Sequence, residues 1–284
     1  MDVIESCRSM QEKSESLRMD GKITALVPTM GFFHEGHLEL MRVGKKHSDK
    51  LIVSVFVNPI QFGPSEDYDT YPRDLEGDLA KARDVGADIL FTPSVKEMYP
   101  EGFQTKVVVE RVTKYLCGLS RPGHFEGVTT VVAKLFQITK PHLAVFGQKD
   151  YQQLTAISRM VKDLFMDVKI VGVGTVREPD GLAMSSRNSY LSPEERTSAL
   201  CLKKSLDLAH GMFMKGVRDA GEIKGAVENL IQKHAHTEID YVSLCNPVTL
   251  EEVDTVSRGS LLALAVKVGG TRLIDNCIIG RGAH

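Results

Sequence analysis

The chain has 284 residues, of which 42% are hydrophobic, and its 35 basic and 37 acidic residues give a formal net charge of −2. This length allows one large domain or two unequal ones with a conventional hydrophobic core. The near-neutral charge argues against an extensive nucleic-acid-binding surface, which depends on clustered Lys and Arg. The longest apolar runs, such as 51–57 and 261–266, are far shorter than the roughly 20 residues of a membrane helix.

Cysteine usage and the N-terminal residues bear on the cellular compartment. The five cysteines are scattered along the chain without a Cys-x-x-Cys pair, which is typical of thiols in a reducing compartment. Residues 1–19 mix acidic and basic side chains without the apolar core of a secretory signal. The sequence therefore predicts a cytoplasmic protein.

A strand-to-helix turn carries the first candidate site. The predicted strand 23–27 is broken by a proline and a glycine, and residues 36–47 then carry apolar side chains at helical spacing. Such a turn presents backbone N–H groups at the positive end of a helix dipole, which suits an anion such as a phosphate. His34 and His37 are three residues apart, so both can address that anion from the first helical turn.

Two other interpretations of this histidine pair stay open at this point. The rings could have ordinary surface or packing roles. They could also be two ligands of a metal ion whose third ligand is His124 or His142. The small residues between strand and helix favour the phosphate site, because they allow a ligand to approach the backbone closely.

Strands and helices alternate over the first 170 or so residues. Strands are predicted at 23–27, 51–57, 87–92, 142–146 and 168–173, and helices at about 10–19, 36–47, 74–85, 128–139 and 151–165. This alternation predicts an α/β fold with a Rossmann-like, doubly wound parallel sheet and right-handed crossovers. We assign residues 1–178 to this domain.

The composition changes after about residue 192. Helices are predicted at 193–215 and 220–234, followed by strands at 239–245, 261–268 and 272–278. Residues 179–284 are therefore predicted to form a smaller C-terminal α+β domain with an antiparallel sheet, acting as a lid.

Polar segments follow several of the predicted parallel strands. Because ligands bind beyond the carboxyl ends of such strands, these segments should line a common crevice. They contain His34, His37, Asn58, Gln61, Lys149, Asp150 and Gln153. A later loop contains Ser185, Ser186 and Arg187, and two hydroxyls followed by a guanidinium suit a phosphate chain.

Six segments of the chain form a recognisable combination. They are Pro28-Thr29-Met30-Gly31 with His34-Glu35-Gly36-His37, Val57-Asn58-Pro59-Ile60-Gln61-Phe62, Tyr71-Pro72-Arg73, Arg121-Pro122-Gly123-His124-Phe125, Phe146-Gly147-Gln148-Lys149-Asp150, and Met184-Ser185-Ser186-Arg187-Asn188. Together these segments resemble the pantothenate synthetase (pantoate–β-alanine ligase) family, within the wider nucleotidyltransferase superfamily that shares a His-x-Gly-His motif. They occur in order along nearly the whole chain.

The resemblance implies a two-step ligation. Pantoate attacks the α-phosphate of ATP to give pantoyl adenylate and pyrophosphate, and β-alanine then displaces AMP to give pantothenate. It also implies Mg²⁺ held mainly by the ATP phosphates, with no dedicated protein metal site, and a homodimer without nucleic-acid or membrane partners. A carboxylate is already ionised at neutral pH, so catalysis should consist of positioning and charge stabilisation.

Site residues carry over from the resemblance position by position. The catalytic set is His37, His34, Lys149 and Arg187. The ATP-binding set is Met30, Gly31, Phe32, Phe33, His34, Glu35, Gly36, His37, Gly147, Gln148, Lys149, Asp150, Val176, Met184, Ser185, Ser186 and Arg187. Gln61 and Gln153 are the expected pantoate contacts, Asn58 is a further substrate contact, and Arg121 is the candidate for the β-alanine carboxylate.

Two residue roles and the overall function keep alternatives. His37 is either a proton donor or a purely electrostatic group. Asp150 either binds ribose or caps its helix. The competing functions are a nucleotidyltransferase acting on a phosphate-bearing substrate, a truncated aminoacyl-tRNA synthetase, and a non-catalytic nucleotide-binding module with Gly172-Val173-Gly174 as its loop.

Overall fold

The computed structural model describes residues 1–64 and 66–280, which form two compact units. The first unit contains residues 1–109, 121–148 and 153–173. The second contains residues 110–120, 149–152 and the chain from residue 174 onward. The division into domains at 178 and 179 stays a prediction.

The first unit is built on a parallel sheet. Within the described residues its strands are β1 (Asp2–Ile4), β2 (Thr24–Thr29), β3 (Lys50–Val55), β4 (Ile89–Phe91), β5 (Leu143–Gly147) and β6 (Lys169–Val173). Their spatial order is β1-β4-β3-β2-β5-β6, and every neighbouring pair is parallel. The predicted parallel α/β sheet is confirmed.

Helices connect these strands. The helices of the chain up to residue 163 are α1 (Cys7–Met19), α2 (Glu35–Lys46), α3 (Leu75–Asp84), α4 (Val95–Met98), α5 (Cys117–Ser120), α6 (His124–Thr139) and α7 (Tyr151–Asp163); α5 lies in the second unit. Ala25 and Val27 of β2 share a core with Met41 of α2, while Leu26 points to the opposite face and is also fully buried. The sheet is therefore covered on both faces, as continuous apolar strands predict. None of the helices in the described part of the chain is long and apolar enough to cross a membrane.

The strand order places a switch point between β2 and β5. From β2 the chain proceeds outward to β3 and β4, whereas β5 and β6 extend the sheet in the other direction. In open α/β sheets the crevice at the carboxyl end of such a switch point is the usual ligand site. The segments that leave β2 and β5 begin with Met30 and Gln148, which are both predicted site residues.

The start of the chain differs from the sequence prediction in two respects. The three-residue strand β1 has no prediction, because so short an edge strand shows no periodicity. The opening helix begins at Cys7 rather than near residue 10, since the Ser6 side chain accepts a hydrogen bond from the Ser9 amide and caps it.

The second unit combines helices with an antiparallel sheet. From residue 193 onward its described elements are α8 (Pro193–Ala199), α9 (Cys201–Met214), α10 (Ala220–Gln232), β7 (Thr237–Cys245), β8 (Leu261–Val268) and β9 (Thr271–Ile278), with sheet order β7-β8-β9. The predicted single helix 193–215 is wrong, because the backbone turns at Leu200. Ala199, Cys201 and Leu202 are all buried, so the apolar pattern continues through the break and hides it.

Candidate active site

The turn between β2 and α2 is held by the two histidines themselves. His34 is the N-cap of α2, and its Nδ1 accepts a hydrogen bond from the Gly36 amide at 3.1 Å. His37 Nδ1 accepts one from the His34 amide at 3.3 Å, which completes a reciprocal capping box. The two rings are stacked with their centroids 4.0 Å apart.

These hydrogen bonds define which ring nitrogen carries the proton. A backbone N–H can only donate, so Nδ1 of both His34 and His37 is the acceptor, and the proton of each neutral ring lies on Nε2. Each ring therefore carries an Nε2–H donor, and both residues lie at the N-terminus of α2, where the helix dipole also favours negative charge. The chemistry of this turn fits an anion such as a phosphate.

A carboxylate from α3 supports the same turn. Asp78 accepts hydrogen bonds from the backbone amides of Phe32 at 2.7 Å and Phe33 at 2.6 Å. Phe32 has a φ of +54°, a left-handed conformation that is costly for a bulky side chain. A Cβ on Gly31 would lie 2.9 Å from Asp78 Oδ2, so only glycine fits beside this carboxylate. Burial raises the pKa of Asp78, and the two amide bonds oppose that shift.

We expect Asp78→Asn to lower the free energy of unfolding by about 1–3 kcal/mol. The asparagine has a single acceptor oxygen, so the amide of Phe32 or Phe33 would face an NH₂ group. Urea unfolding of this variant, compared with that of the control Asp84→Asn at an exposed position on the same helix, measures the effect. Equal stability of the two variants would show that the carboxylate does not support the turn.

The second polar turn of the first unit follows β3 and carries Gln61. Asn58 is almost completely buried, and its Nδ2 donates to Gln61 Oε1 at 3.0 Å and to the Gly127 carbonyl oxygen at 3.1 Å. Gln61 Nε2 lies 3.2 Å from Met30 Sδ. A Cβ on Gly127 would lie 2.5 Å from the Ile60 carbonyl oxygen, so α6 approaches this turn as closely as only glycine allows.

Arg121 is already engaged within the first unit. Its guanidinium donates to both carboxylate oxygens of Glu66, at 2.7 and 2.5 Å, and lies 3.1 Å from His124 Nε2. A β-alanine carboxylate would have to share this guanidinium with Glu66. The role predicted for Arg121 stays a prediction.

In the second unit, β9 holds Lys149 and the loop that begins at Arg177. Asn276 Nδ2 donates to the Lys149 carbonyl oxygen at 2.8 Å. Asp275 accepts two hydrogen bonds from the Arg177 guanidinium, at 2.6 and 3.0 Å, and a third from the Asn276 amide at 2.8 Å. The sequence prediction contains no role for Asp275 or Asn276. The signal that could have identified them is the presence of polar residues within an otherwise apolar strand.

Lys149 is electrostatically suited to an anion. Burial lowers the pKa of its ammonium group and the nearby Arg187 charge adds to that effect, while Asp150 and Asp275 oppose it. A bound phosphate would favour the charged ammonium form. Lys149 and Arg187 therefore form a cationic pair within the second unit.

The loop from Val176 to Asn188 is more ordered than its sequence indicates. The Met184 amide donates to the Val176 carbonyl oxygen at 3.0 Å, and Ser185 caps a short 3-10 helix, Ser186–Tyr190, by accepting from the Arg187 amide. The Asn188 side chain donates to Glu178 at 2.6 Å. The segment thus holds Ser185, Ser186 and Arg187 on an ordered backbone.

Adjacent glutamines at the start of α7 differ in what they bind. The Gln152 amide accepts from the Cys117 amide and donates to the carbonyl oxygens of Val112 and Tyr115, so it has a structural role in the second unit. Gln153 is half-buried in the first unit. Its predicted contact with pantoate stays a prediction.

The metal interpretation of the histidine pair gains no support. His142 precedes β5 and contacts Thr24 at the start of β2, so it lies at the opposite edge of the sheet from His34 and His37. His124 Nδ1 lies 2.8 Å from the Gln61 carbonyl oxygen. Among residues 1–64 and 66–280 there is no group of three or more His, Cys, Asp or Glu side chains that could hold a metal ion.

Comparison with known proteins identifies the family. The sequence model of the pantoate-beta-alanine ligase family matches residues 2–278. The chain belongs to the pantoate–β-alanine ligase family. The resemblance predicted from the six motif segments is therefore confirmed, and the family is one of ligases that form an amide bond.

Curated and solved members of the family are similar over nearly their whole length. Pantothenate synthetase from Syntrophus aciditrophicus is 57% identical over 280 residues, covering 99% of this chain and 98% of the relative. The crystal structure of pantothenate synthetase from Thermus thermophilus has a TM-score of 0.93 at 43% identity, covering 98% of this chain and 99% of that one. A pantoate-beta-alanine ligase from Francisella tularensis, solved with β,γ-ATP and β-alanine, has a TM-score of 0.83 at 33% identity, covering 99% of both chains.

The family assignment also confirms the predicted fold class. Solved members share the Rossmann-like parallel sheet and the small antiparallel domain that the two units display. The assignments of individual side chains to ATP, pantoate and β-alanine stay predictions for this member of the family.

Proposed function

We propose that the protein joins pantoate and β-alanine to form pantothenate at the expense of ATP, through a pantoyl-adenylate intermediate. The observation that carries the proposal is the pair of Nε2–H donors on His34 and His37 at the N-terminus of α2. That arrangement suits a phosphate, and the Francisella relative was solved with an ATP compound and β-alanine.

The proposed chemistry has two steps. In the first, a carboxylate oxygen of pantoate forms a bond to the α-phosphorus of ATP, and the bond to the bridging oxygen breaks as pyrophosphate leaves. In the second, the neutral amine of β-alanine attacks the acyl carbon, AMP leaves with the oxygen that came from pantoate, and the nitrogen loses a proton. Neither step needs a protein nucleophile, so the residues act by positioning and charge stabilisation.

The cationic and N–H donor groups are proposed to bind the triphosphate. His34 and His37 donate from Nε2, while Lys149 and Arg187 stabilise the charge that develops on the departing pyrophosphate. The serines of the 176–188 loop add hydroxyl donors. His37 can act here as a proton donor or electrostatically, because its Nε2–H serves both roles.

Magnesium is proposed to enter as part of the substrate, MgATP. A triphosphate supplies the oxygen ligands that this small cation prefers, so few protein ligands are required. The groups proposed to bind the triphosphate are cations and N–H donors, which bind phosphate oxygens rather than a cation.

The test is to measure AMP after mixing the protein with MgATP, pantoate and β-alanine. We expect AMP, pyrophosphate and pantothenate in equal amounts, and no AMP when pantoate is omitted or EDTA removes the metal. Formation of ADP instead of AMP would contradict the proposal. Nucleotide transfer to phosphorylated acids, with none to pantoate, would favour a nucleotidyltransferase.

We expect Gln61→Ala to raise the KM for pantoate by about 10-fold or more, with little change in the KM for ATP. The neutral amide is proposed to hydrogen-bond pantoate, and losing such a contact costs about 1–3 kcal/mol. Initial-rate kinetics with each substrate varied in turn measures both constants. Equal increases in the two constants would indicate general misfolding rather than loss of a pantoate contact.

Two further assignments belong to the proposal. Arg121 is the candidate for the β-alanine carboxylate, and β-alanine would share its guanidinium with Glu66. A homodimer is the expected assembly, and sedimentation velocity on the purified protein measures it.

A further inference from the structure

We propose that Tyr99 is a positioning residue that, through Asn58, orients the Gln61 amide so that its N–H groups, and not its carbonyl oxygen, face the acid substrate. This inference rests on the proposed role of Gln61 as a pantoate contact. All of the residues involved lie in the first unit. Tyr99 is 41 residues from Asn58 in sequence, and its role has no sequence signal.

The orientation of the buried Asn58 amide follows from its neighbours. The Gly127 carbonyl oxygen lies 3.1 Å from the Asn58 side chain and can only accept, so the atom facing it must be Nδ2. Oδ1 therefore faces Tyr99, whose hydroxyl donates to it at 2.7 Å. Burial raises the pKa of Tyr99 far above neutral, which keeps this hydroxyl protonated and able to donate.

The Tyr99 ring is fixed by packing against its neighbours. It packs edge-on against Phe103 with centroids 4.9 Å apart, and the ring of Phe56 lies 6.1 Å away. Lys134 places its ammonium group 5.7 Å from the Tyr99 ring centroid. The hydroxyl thus approaches Asn58 from a fixed direction.

Asn58 transmits this orientation to Gln61. Its Nδ2 donates to Gln61 Oε1 at 3.0 Å, so the glutamine amide must direct its NH₂ group the other way. That group carries two hydrogens, and the contact with the weakly accepting Met30 sulphur uses one of them. His124 Nδ1 lies 2.8 Å from the Gln61 carbonyl oxygen, which restrains the backbone as well.

The consequence is selection for an acceptor-rich ligand. An amide that presents N–H groups matches the carboxylate and hydroxyl oxygens of a hydroxy acid, whereas a rotated amide would present a carbonyl oxygen to a carboxylate and repel it. Removing the Tyr99 hydroxyl leaves Asn58 Oδ1 buried without its donor, which weakens the preference for one orientation. We expect this loss to weaken pantoate binding by about 10-fold.

The primary experiment is a double-mutant cycle with Tyr99→Phe and Gln61→Ala, measured as pantoate-dependent AMP formation. We expect Tyr99→Phe to raise the KM for pantoate about 10-fold while the KM for ATP stays within twofold of the unmodified protein. In the Gln61→Ala background the same change should have little further effect, because Tyr99 acts through Gln61. Tyr115→Phe, which removes a hydroxyl 3.5 Å from Glu251, is the matched control and should leave both constants unchanged.

Independent, multiplicative effects of Tyr99→Phe and Gln61→Ala would overturn the inference, as would an unchanged KM for pantoate in folded Tyr99→Phe. If Tyr99→Phe does not fold in plain buffer, the same kinetics are measured in trimethylamine N-oxide, which is excluded from the protein surface and favours the folded state. The folded variant must then show the raised KM for pantoate, relative to the unmodified protein in the same solution. Absence of pantoate-dependent AMP formation by the unmodified protein would instead refute the proposed function itself.

Discussion

Replacing His37 with alanine is expected to lower the turnover of AMP formation by about 100-fold or more. The substitution removes one of the two Nε2–H donors that His34 and His37 carry at the start of α2. A donor at that position should bind the transferring phosphate more strongly as charge develops, so the loss should fall on kcat rather than on the KM for ATP. Pyrophosphate release at saturating MgATP and pantoate measures it.

The exposed His47, at the other end of the same helix, provides the matched control. His47→Ala should retain nearly full turnover. Near-normal adenylate formation by His37→Ala would remove His37 from the chemistry. A large loss of thermal stability in His37→Ala would assign the effect to its capping bond instead, so melting of both variants is measured in parallel.

Replacing Lys149 with methionine is expected to lower the rate of adenylate formation by about 100-fold or more, while the protein stays at least as stable. Burial lowers the pKa of this ammonium group, which means that the folded protein bears a desolvation cost to hold it. Such a cost is expected where a charge serves a ligand. Methionine keeps most of the volume and removes both the charge and the cost.

Pantoate-dependent exchange between ATP and pyrophosphate, with β-alanine absent, isolates the adenylation step for this variant. Lys162→Met, at an exposed position on α7, is the control. Exchange within fivefold of the unmodified protein would contradict the role of Lys149. Unchanged exchange together with slow pantothenate formation would instead assign Lys149 to the second step, the attack of β-alanine on the adenylate.

The strands and most helices could be predicted because local patterns determine them. The apolar run of β3 and the glycine and proline breaks after β2 act over a few residues, and the structure follows them closely. The break at Leu200 could not be predicted, since its neighbours are buried on both sides of it. The three-residue β1 pairs with β4, which is distant in sequence, and shows no local signal.

Motif residues of the candidate site could be named from sequence, but their supports could not. His34 and His37 lie in one short segment whose spacing implies a shared helical turn. Asp78 lies 45 residues from the Phe33 amide that it binds, and Tyr99 lies 41 residues from Asn58. Such contacts depend on where the fold places α3 and the C-terminal end of α4, which no periodicity reveals.

The central claim is that pantoate is activated as an acyl adenylate, and the fate of a carboxylate oxygen tests it most directly. Pantoate labelled with oxygen-18 in its carboxylate is incubated with the protein, MgATP and β-alanine, and the nucleotide product is analysed by mass spectrometry. The account predicts AMP that carries one labelled oxygen, with unlabelled pyrophosphate. Unlabelled AMP, or label in pyrophosphate or inorganic phosphate, would contradict it.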